Sequence, residues 1–277
     1  MKHLNKNTIE SLIDIAKDAG NAINKIYRDD FEHKLKSDNS PITKADLLSN
    51  KIISSGLNNL TDDIPILSEE ASDIPFDRRS RWDKYWLIDP LDGTKEFIKK
   101  NGEFTVNIAL VVKNSPVFGL ILVPTTSEIY WGSSSYGSFF SPTKGKHKKL
   151  KVKKDINGPI KVAISRSHST GELDSIFQNN NDFESIHAGS SLKFCYVASG
   201  KSDCYLRLGP TSEWDTAAGE AILKYAGGSV IDLAGNPMKY NCKKEYLNPN
   251  FLAYSNETIK KIILDLLQAN YLESLER

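Results

Sequence analysis

Apolar residues Leu12, Ile15, Ala16, Ala19, Ile23 and Ile26 return every three or four positions, which predicts an amphipathic helix over about residues 8 to 28. A polar stretch, Lys34 to Pro41, interrupts the pattern. A second helix is expected from near Thr43, with Leu48, Ile52, Gly56 and Leu57 on its apolar side. Leu60 to Ile66 leads into Leu67-Ser68-Glu69-Glu70, and the charged stretch 71 to 84 reads as a surface loop. The rhythm then changes. Apolar runs at Tyr85 to Ile88, Thr105 to Val112, Val117 to Val123 and Ile129 to Gly132 are punctuated by Gly102, Asn114-Ser115-Pro116 and Pro124, as antiparallel strands and their turns would be.

Ser141 to Asn157 is rich in Lys, Gly and Pro and reads as a solvated hairpin tip at the best candidate boundary, dividing the chain into lobes 1–155 and 156–277. Beyond it, strands are expected at Ile160 to Ser165, Cys204 to Leu208 and Ser229 to Leu233. Helices are expected near Gly171 to Gln178, Ser191 to Ala198 and Thr216 to Ala226, the last stopped by Gly227-Gly228. Antiparallel strands first and alternating elements later predict a layered α/β protein of two lobes.

At 277 residues and 39% hydrophobic content, a large core is available. Lys and Arg number 36 against 35 Asp and Glu, so the net charge of +1 predicts no broad attraction to nucleic acid or membrane, and an anionic ligand needs a local site. No apolar window reaches 18 residues, and the basic N-terminus is followed by no apolar segment. The expectation is a soluble cytoplasmic protein without obligatory membrane contact, peripheral contact with the inner membrane being left open. Cys195, Cys204 and Cys242 are widely spaced, indicating neither a zinc site nor a disulfide framework, and a reducing compartment.

The chemistry concentrates where the strand Tyr85 to Ile88 runs into Asp89-Pro90-Leu91-Asp92-Gly93-Thr94. A buried strand ending in two carboxylates is costly unless a cation meets them, and oxygen ligands suit Mg²⁺. Asp46, Glu69 and Asp215 are further candidates, each with a plain structural alternative. Asp46 follows Thr43 as in a capping pair, Glu69-Glu70 could be a solvated turn, and Asp215 could cap the helix it opens. Carboxylate-bridged Mg²⁺ ions holding a water against phosphorus are a recurrent solution to phosphate ester hydrolysis. No nucleophilic Ser or Cys paired with an adjacent base is evident. Among the histidines only His168, in Ser165-Arg166-Ser167-His168, lies among anion-friendly residues.

Together these residues resemble the lithium-sensitive, magnesium-dependent phosphatase superfamily that includes inositol monophosphatase, fructose-1,6-bisphosphatase and the 3'(2'),5'-bisphosphate nucleotidases. The resemblance rests on Asp89-Pro90-Leu91-Asp92-Gly93-Thr94, on Pro41-Ile42-Thr43-Lys44-Ala45-Asp46, on Ser68-Glu69-Glu70 and on Trp214-Asp215-Thr216-Ala217-Ala218-Gly219, in the family's order along nearly the whole chain. Asp92 to Ile98, Asn101 to Leu110 and Gly189-Ser190-Ser191-Leu192-Lys193-Phe194-Cys195 look like the bacterial, CysQ-type nucleotidase branch.

The resemblance implies an αβαβα sandwich and two or three Mg²⁺ ions. Glu69, Asp89 and the Leu91 carbonyl would hold the first, and Asp89, Asp92 and Asp215 the second. Glu70 would act through water, while Thr94 and Asp46 would orient and deprotonate the attacking water. Gly93 and Thr94 would contact the scissile phosphate. Ser190, Lys193, Arg207 and His168 would serve the rest of a nucleotide, although Arg207 could also be an exposed strand residue. The implied reaction converts adenosine 3',5'-bisphosphate to AMP and phosphate by metal-activated water, as by-product disposal in sulfate assimilation. An inositol or sugar phosphatase on the same acids is the alternative, and a catalytically dead binding protein is a third reading.

Overall fold

The computed structural model describes residues 4–29, 33–35, 41–167, 177 and 180–275. Helix α1 (Lys6–Arg28) starts where the Asn5 side chain accepts a hydrogen bond from the Thr8 N–H at 2.9 Å. It buries Ile9, Leu12, Ala16, Ala19 and Ile23 along one stripe. A short antiparallel pair, β1 (His33–Leu35) and β2 (Pro41–Thr43), leads into α2 (Lys44–Leu60), which packs against α1.

A seven-stranded sheet follows the chain order: β3 (Ile66–Ser68), β4 (Lys84–Asp92), β5 (Thr105–Val112), β6 (Ser115–Val123), β7 (Glu128–Ser133), β8 (Gly137–Ser141) and β9 (Lys148–Lys149). β3 lies parallel to β4, and the later neighbours are antiparallel. Two short helices interrupt the run, α3 (Phe76–Arg79) and α4 (Thr94–Ile98).

The second sheet has five strands in the order β11-β10-β12-β14-β13. They are β10 (Ile160–Ser165), β11 (Phe183–Ala188), β12 (Cys204–Arg207), β13 (Ser229–Asp232) and β14 (Phe251–Tyr254). Helices α5 (Leu192–Ala198), α6 (Glu213–Ala226) and α7 (Glu257–Leu275) complete the chain.

Strand periodicity explains the layering. Along β4, Trp86 and Ile88 join the cluster containing α1 and α2, whereas Tyr85 and Leu87 join the cluster containing α5 and α6. In the second sheet Tyr205, Phe251 and Ala253 face α5 and α6, and Cys204, Leu206 and Leu252 face Ile259 and Ile263 of α7. Both faces of both sheets are therefore covered, and their strands read as continuous apolar runs. The result is the αβαβα sandwich that the resemblance implies. Helix α6 lies close on the first sheet because Gly119 of β6 has no side chain: a Cβ there would stand 2.2 Å from the Ala218 carbonyl oxygen.

The structure corrects several expectations. The buried face of α2 is Ala45, Asp46, Ser49, Ile53 and Leu57, while Leu48 is 40% exposed and neighbouring Leu47 54%. Polar residues hold that face because they serve the site described below. The stretch 71–84 is not merely surface loop, since it contains α3 and its Arg79 is buried. Arg79 donates to the Lys243 carbonyl at 3.1 Å, to the carbonyl of Lys244 and to the Asn241 side chain, and stacks on Phe76 and Tyr246. α6 begins at Glu213 rather than Thr216. Strands β11 and β14 and helix α7 carried no expectation. The helix expected near Gly171 to Gln178 lies outside the described residues except for buried Phe177. Among the described residues no helix is long and apolar enough to cross a membrane.

Candidate active site

A cleft of about 250 Å³ opens where β4, α4, α5, β12 and α6 converge. At its floor β4 leaves regular pairing. Asp89 stands opposite Asn107 and Asp92 opposite Thr105, so three steps on β4 match two on β5. This bulge brings both aspartates to one face. Asp215, from the first turn of α6, meets them there, and one carboxylate oxygen from each of the three lies within 4.8 Å of the others. Glu69, just past β3, lines the same cleft, as do Leu91, Gly93 and Thr94.

Each acid is held in place by the chain. Asp89 accepts from the Leu91 N–H at 3.1 Å. Asp92 Oδ2 accepts from the Ser191 N–H at 2.6 Å, the Asn107 amide at 3.4 Å and the Thr105 hydroxyl at 3.5 Å. Asp215 is the third helical residue of α6, not its N-cap: the Ser212 N–H donates to it at 2.8 Å in a capping box. Burial, followed by the charges of Glu69, Asp92 and Asp215, pushes the Asp89 carboxyl well up. Burial and then Asp92 and Glu69 do the same to Asp215. Asp92 is also raised by burial, with Lys193 and the Ser191 N–H opposing the rise.

Carboxylates gathered this closely repel one another unless a cation offsets them, and oxygen-only donors fit a hard divalent ion. The group Asp89, Asp92 and Asp215 could hold a metal ion.

Asp46 sits behind Thr94 rather than in the cleft wall. Its two oxygens have different partners. Oδ2 accepts from the Thr43 N–H at 2.7 Å and hydroxyl at 2.6 Å, making the capping box of α2, while Oδ1 lies 3.3 Å from Thr94 Oγ1. Capping and a second contact thus coexist in one carboxylate. Burial lifts its pKa to about 6, with the Thr43 bonds pulling the other way. Glu70 is half-buried outside the cleft lining, its N–H donating to Ser68 Oγ at 3.2 Å.

Part of the wall is cationic. Lys193 is buried, with Nζ donating to the Ser190 carbonyl at 2.6 Å and the Ala188 carbonyl at 3.2 Å, and lying 5.1 Å from the Tyr205 ring centre. Burial lowers its pKa to about 8, against the pull of Asp92. Arg207 is buried rather than exposed. Its Nη2 donates to the Pro210 carbonyl at 2.9 Å, and its buried Nε has no hydrogen-bond partner. Ser190 lines the cleft with a buried, unpartnered hydroxyl and a backbone φ of 46°. His168 lies outside the described residues.

Sequence reasoning missed Thr105, Asn107 and Ser191, which fix Asp92, and Glu96, a buried carboxylate in the cleft wall. Asn107 was detectable as an amide in an otherwise apolar strand, where an unpaired polar group would be costly.

The family model described as the inositol monophosphatase family matches residues 4–271. The "3'(2'),5'-bisphosphate nucleotidase CysQ" of Salmonella typhimurium LT2 is 44% identical over 246 residues, covering 88% of this chain and 98% of that protein. The protein of that name from Haemophilus influenzae is 36% identical over 259 residues, covering 93% and 96%. Among solved structures, CysQ from Bacteroides thetaiotaomicron, described as a bacterial member of the inositol monophosphatase family, superposes with a TM-score of 0.78 at 40% identity, covering 90% of this chain and 97% of that one. An IMPase of Thermotoga maritima shares the fold, with a TM-score of 0.81 at 22% identity and coverage of 96% and 99%. A match running almost end to end at such identity makes this chain a member of the inositol monophosphatase family.

Proposed function

We propose that the protein is a magnesium-dependent 3'(2'),5'-bisphosphate nucleotidase, hydrolysing the 3'-phosphate of adenosine 3',5'-bisphosphate to give AMP and phosphate. The observation that carries this is one cleft with two unlike walls. Asp89, buried, and Asp92 and Asp215, half-buried, gather in one part of its lining, and the cations Lys193 and Arg207 form another. A substrate with two phosphates uses both walls, and the nucleotidases of related sequence are named for such a substrate.

In this reading Glu69, Asp89, the Leu91 carbonyl, Asp92 and Asp215 would hold two or three Mg²⁺ ions, with Glu70 acting through water. Bound Mg²⁺ would supply positive charge for the phosphate oxygens and lower the pKa of an attacking water. Thr94 accepts a hydrogen bond from that water while its own hydroxyl donates to Asp46 Oδ1, 3.3 Å away. A carboxyl raised to about 6 is suited to taking the proton near neutral pH. The water oxygen bonds to phosphorus, the P–O3' bond breaks, and the sugar oxygen takes a proton from solvent, to which Asp46 returns the one it received. Gly93 and Thr94 orient the transferred phosphate. Arg207 and Lys193, with Ser190 and His168, hold the nucleotide's other groups through charge-assisted hydrogen bonds.

The test is phosphate release from a substrate panel with and without Mg²⁺. Turnover of adenosine 3',5'-bisphosphate should exceed that of inositol 1-phosphate by at least an order of magnitude and stop on chelation. Preference for the inositol ester would replace this reading with the inositol phosphatase one.

A further inference from the structure

The turn Gly189-Ser190-Ser191 leads from β11 into α5 beside the cleft, and it has two anchors. At its far end Ser191 is tied to the first sheet, through its N–H on Asp92 at 2.6 Å and its hydroxyl 2.7 Å from Asn107 Oδ1 and 2.8 Å from Thr105 Oγ1. At its near end the anchor is Glu103, in the loop before β5. Its Oε2 accepts from the Gly189 N–H at 2.8 Å and from Arg166 Nε at 2.6 Å, and its Oε1 accepts from Arg166 Nη2 at 2.8 Å. Arg166 in turn donates from Nη2 to the His187 carbonyl at 2.9 Å and from its N–H to the Ala188 carbonyl at 3.2 Å.

One carboxylate therefore grips the ends of β10 and β11 and the first residue of the turn. The fit leaves no slack, because a Cβ on Gly189 would stand 2.5 Å from the Glu103 carbonyl oxygen and 2.7 Å from Glu96 Cγ. The two carbonyls that hold Lys193 Nζ, Ala188 and Ser190, flank Gly189. Ser190 itself keeps a left-handed backbone, at φ 46°, with its hydroxyl unpartnered. That conformation is unfavourable for a serine and persists only where neighbours impose it.

We infer that Glu103, clamped by Arg166, is a positioning residue for the cationic wall: it sets the Gly189–Ser190 backbone, and through it Lys193, for the substrate phosphate that is not cleaved. The hydrogen bonds of Glu103 go to Asn101, Arg166 and Gly189, and not to the carboxylate cluster, Asp46 or Thr94. Because Ser191 is anchored separately, the loss of Glu103 leaves Asp92 held. The effect belongs on binding of the second phosphate, not on the chemical step.

This inference rests on the bisphosphate reading. Glu103→Gln, which keeps size but weakens the bidentate pair, and Arg166→Lys are compared with wild type in Mg²⁺, using adenosine 3',5'-bisphosphate and an ester with one phosphate. KM for the bisphosphate should rise about tenfold, with kcat within about twofold. KM for the one-phosphate ester should change less than twofold, a selectivity that a loss of stability would not produce. Equal effects on both substrates, a fall in kcat alone, or no change in a folded variant overturns the inference. Should wild type release no phosphate from the bisphosphate, the substrate reading falls instead. The clamp is then judged on how adenosine 3',5'-bisphosphate inhibits whichever ester wild type hydrolyses, where an inhibition constant unchanged by Glu103→Gln overturns it.

Discussion

Thr94 is the smallest group on which the proposed chemistry turns. Its hydroxyl lies 3.3 Å from Asp46 Oδ1 and 3.4 Å from the Leu91 carbonyl, so it reaches from a proton acceptor to the end of β4. Thr94→Ala should lower kcat by about 10²- to 10³-fold, within the range for a lost proton-transfer partner, and leave KM nearly unchanged. Steady-state kinetics at saturating Mg²⁺ check this, and a change confined to KM would refute the water-orienting role. Glu220 makes a different residue-scale case, remote from the cleft. It is buried in α6, accepts from the Tyr240 hydroxyl at 2.6 Å, and burial lifts its carboxyl from 4.5 to about 7. The folded state therefore binds more protons than the unfolded chain between those values. The stability this confers is complete below pH 4.5 and is lost as pH rises through about 7. Glu220→Gln should leave the unfolding free energy alone near pH 4.5 and raise it at pH 8 by on the order of 3 kcal/mol. Urea titrations at the two pH values read the difference.

Among the elements, α6 has the most to do. It fills the layer between the sheets, brings Asp215 to the cleft and lies against Gly119, where a Cβ would stand 2.2 Å from a backbone oxygen. Gly119→Ala must push helix from sheet, and overpacking of this kind costs about 1–3 kcal/mol. The denaturation midpoint should fall accordingly, and activity with it, because the same displacement carries Asp215 away from Asp89 and Asp92. The elements differ in how far the sequence disclosed them. β4 to β7 were readable because both faces are buried, leaving long apolar runs between turn residues. The start of α6 was not, because Glu213 and Asp215 are polar residues on a buried first turn, Glu213 accepting from the Asn241 N–H at 2.9 and 2.8 Å. α2 misled for the same reason: Asp46 and Ser49 face inward, Ser49 donating to the Pro90 carbonyl at 2.7 Å, while Leu47 and Leu48 face out. The acids of the site were legible from their motifs. Their supports Thr105, Asn107 and Ser191 were not, because those contacts span up to 99 positions of chain.

At the scale of the whole molecule, the acid cluster joins parts of the chain that share no local structure: the ends of β3 and β4 and the first turn of α6. A cation held there ties the first sheet to the middle layer and offsets a repulsion that the bare fold must bear. Saturating Mg²⁺ should raise the unfolding midpoint by several degrees, since a ligand at a hundred times its Kd contributes about 2.7 kcal/mol. Asp89→Asn, with one buried charge fewer, should melt higher than wild type in EDTA and respond little to Mg²⁺. Calorimetry would decide, and an unmoved wild-type midpoint would count against the metal assignment. The bulge, finally, makes the end of β4 intolerant of any change in length. Asp89 and Asp92 are an odd number of residues apart, yet the bulge lets them count as an even pair against β5. Deleting either Pro90 or Leu91 would restore regular pairing and preserve both carboxylates, yet take away one of the contacts the bulge makes, the Ser49 hydroxyl on the Pro90 carbonyl or the Leu91 N–H on Asp89. In this molecule a lost codon there should be as damaging as a lost acid.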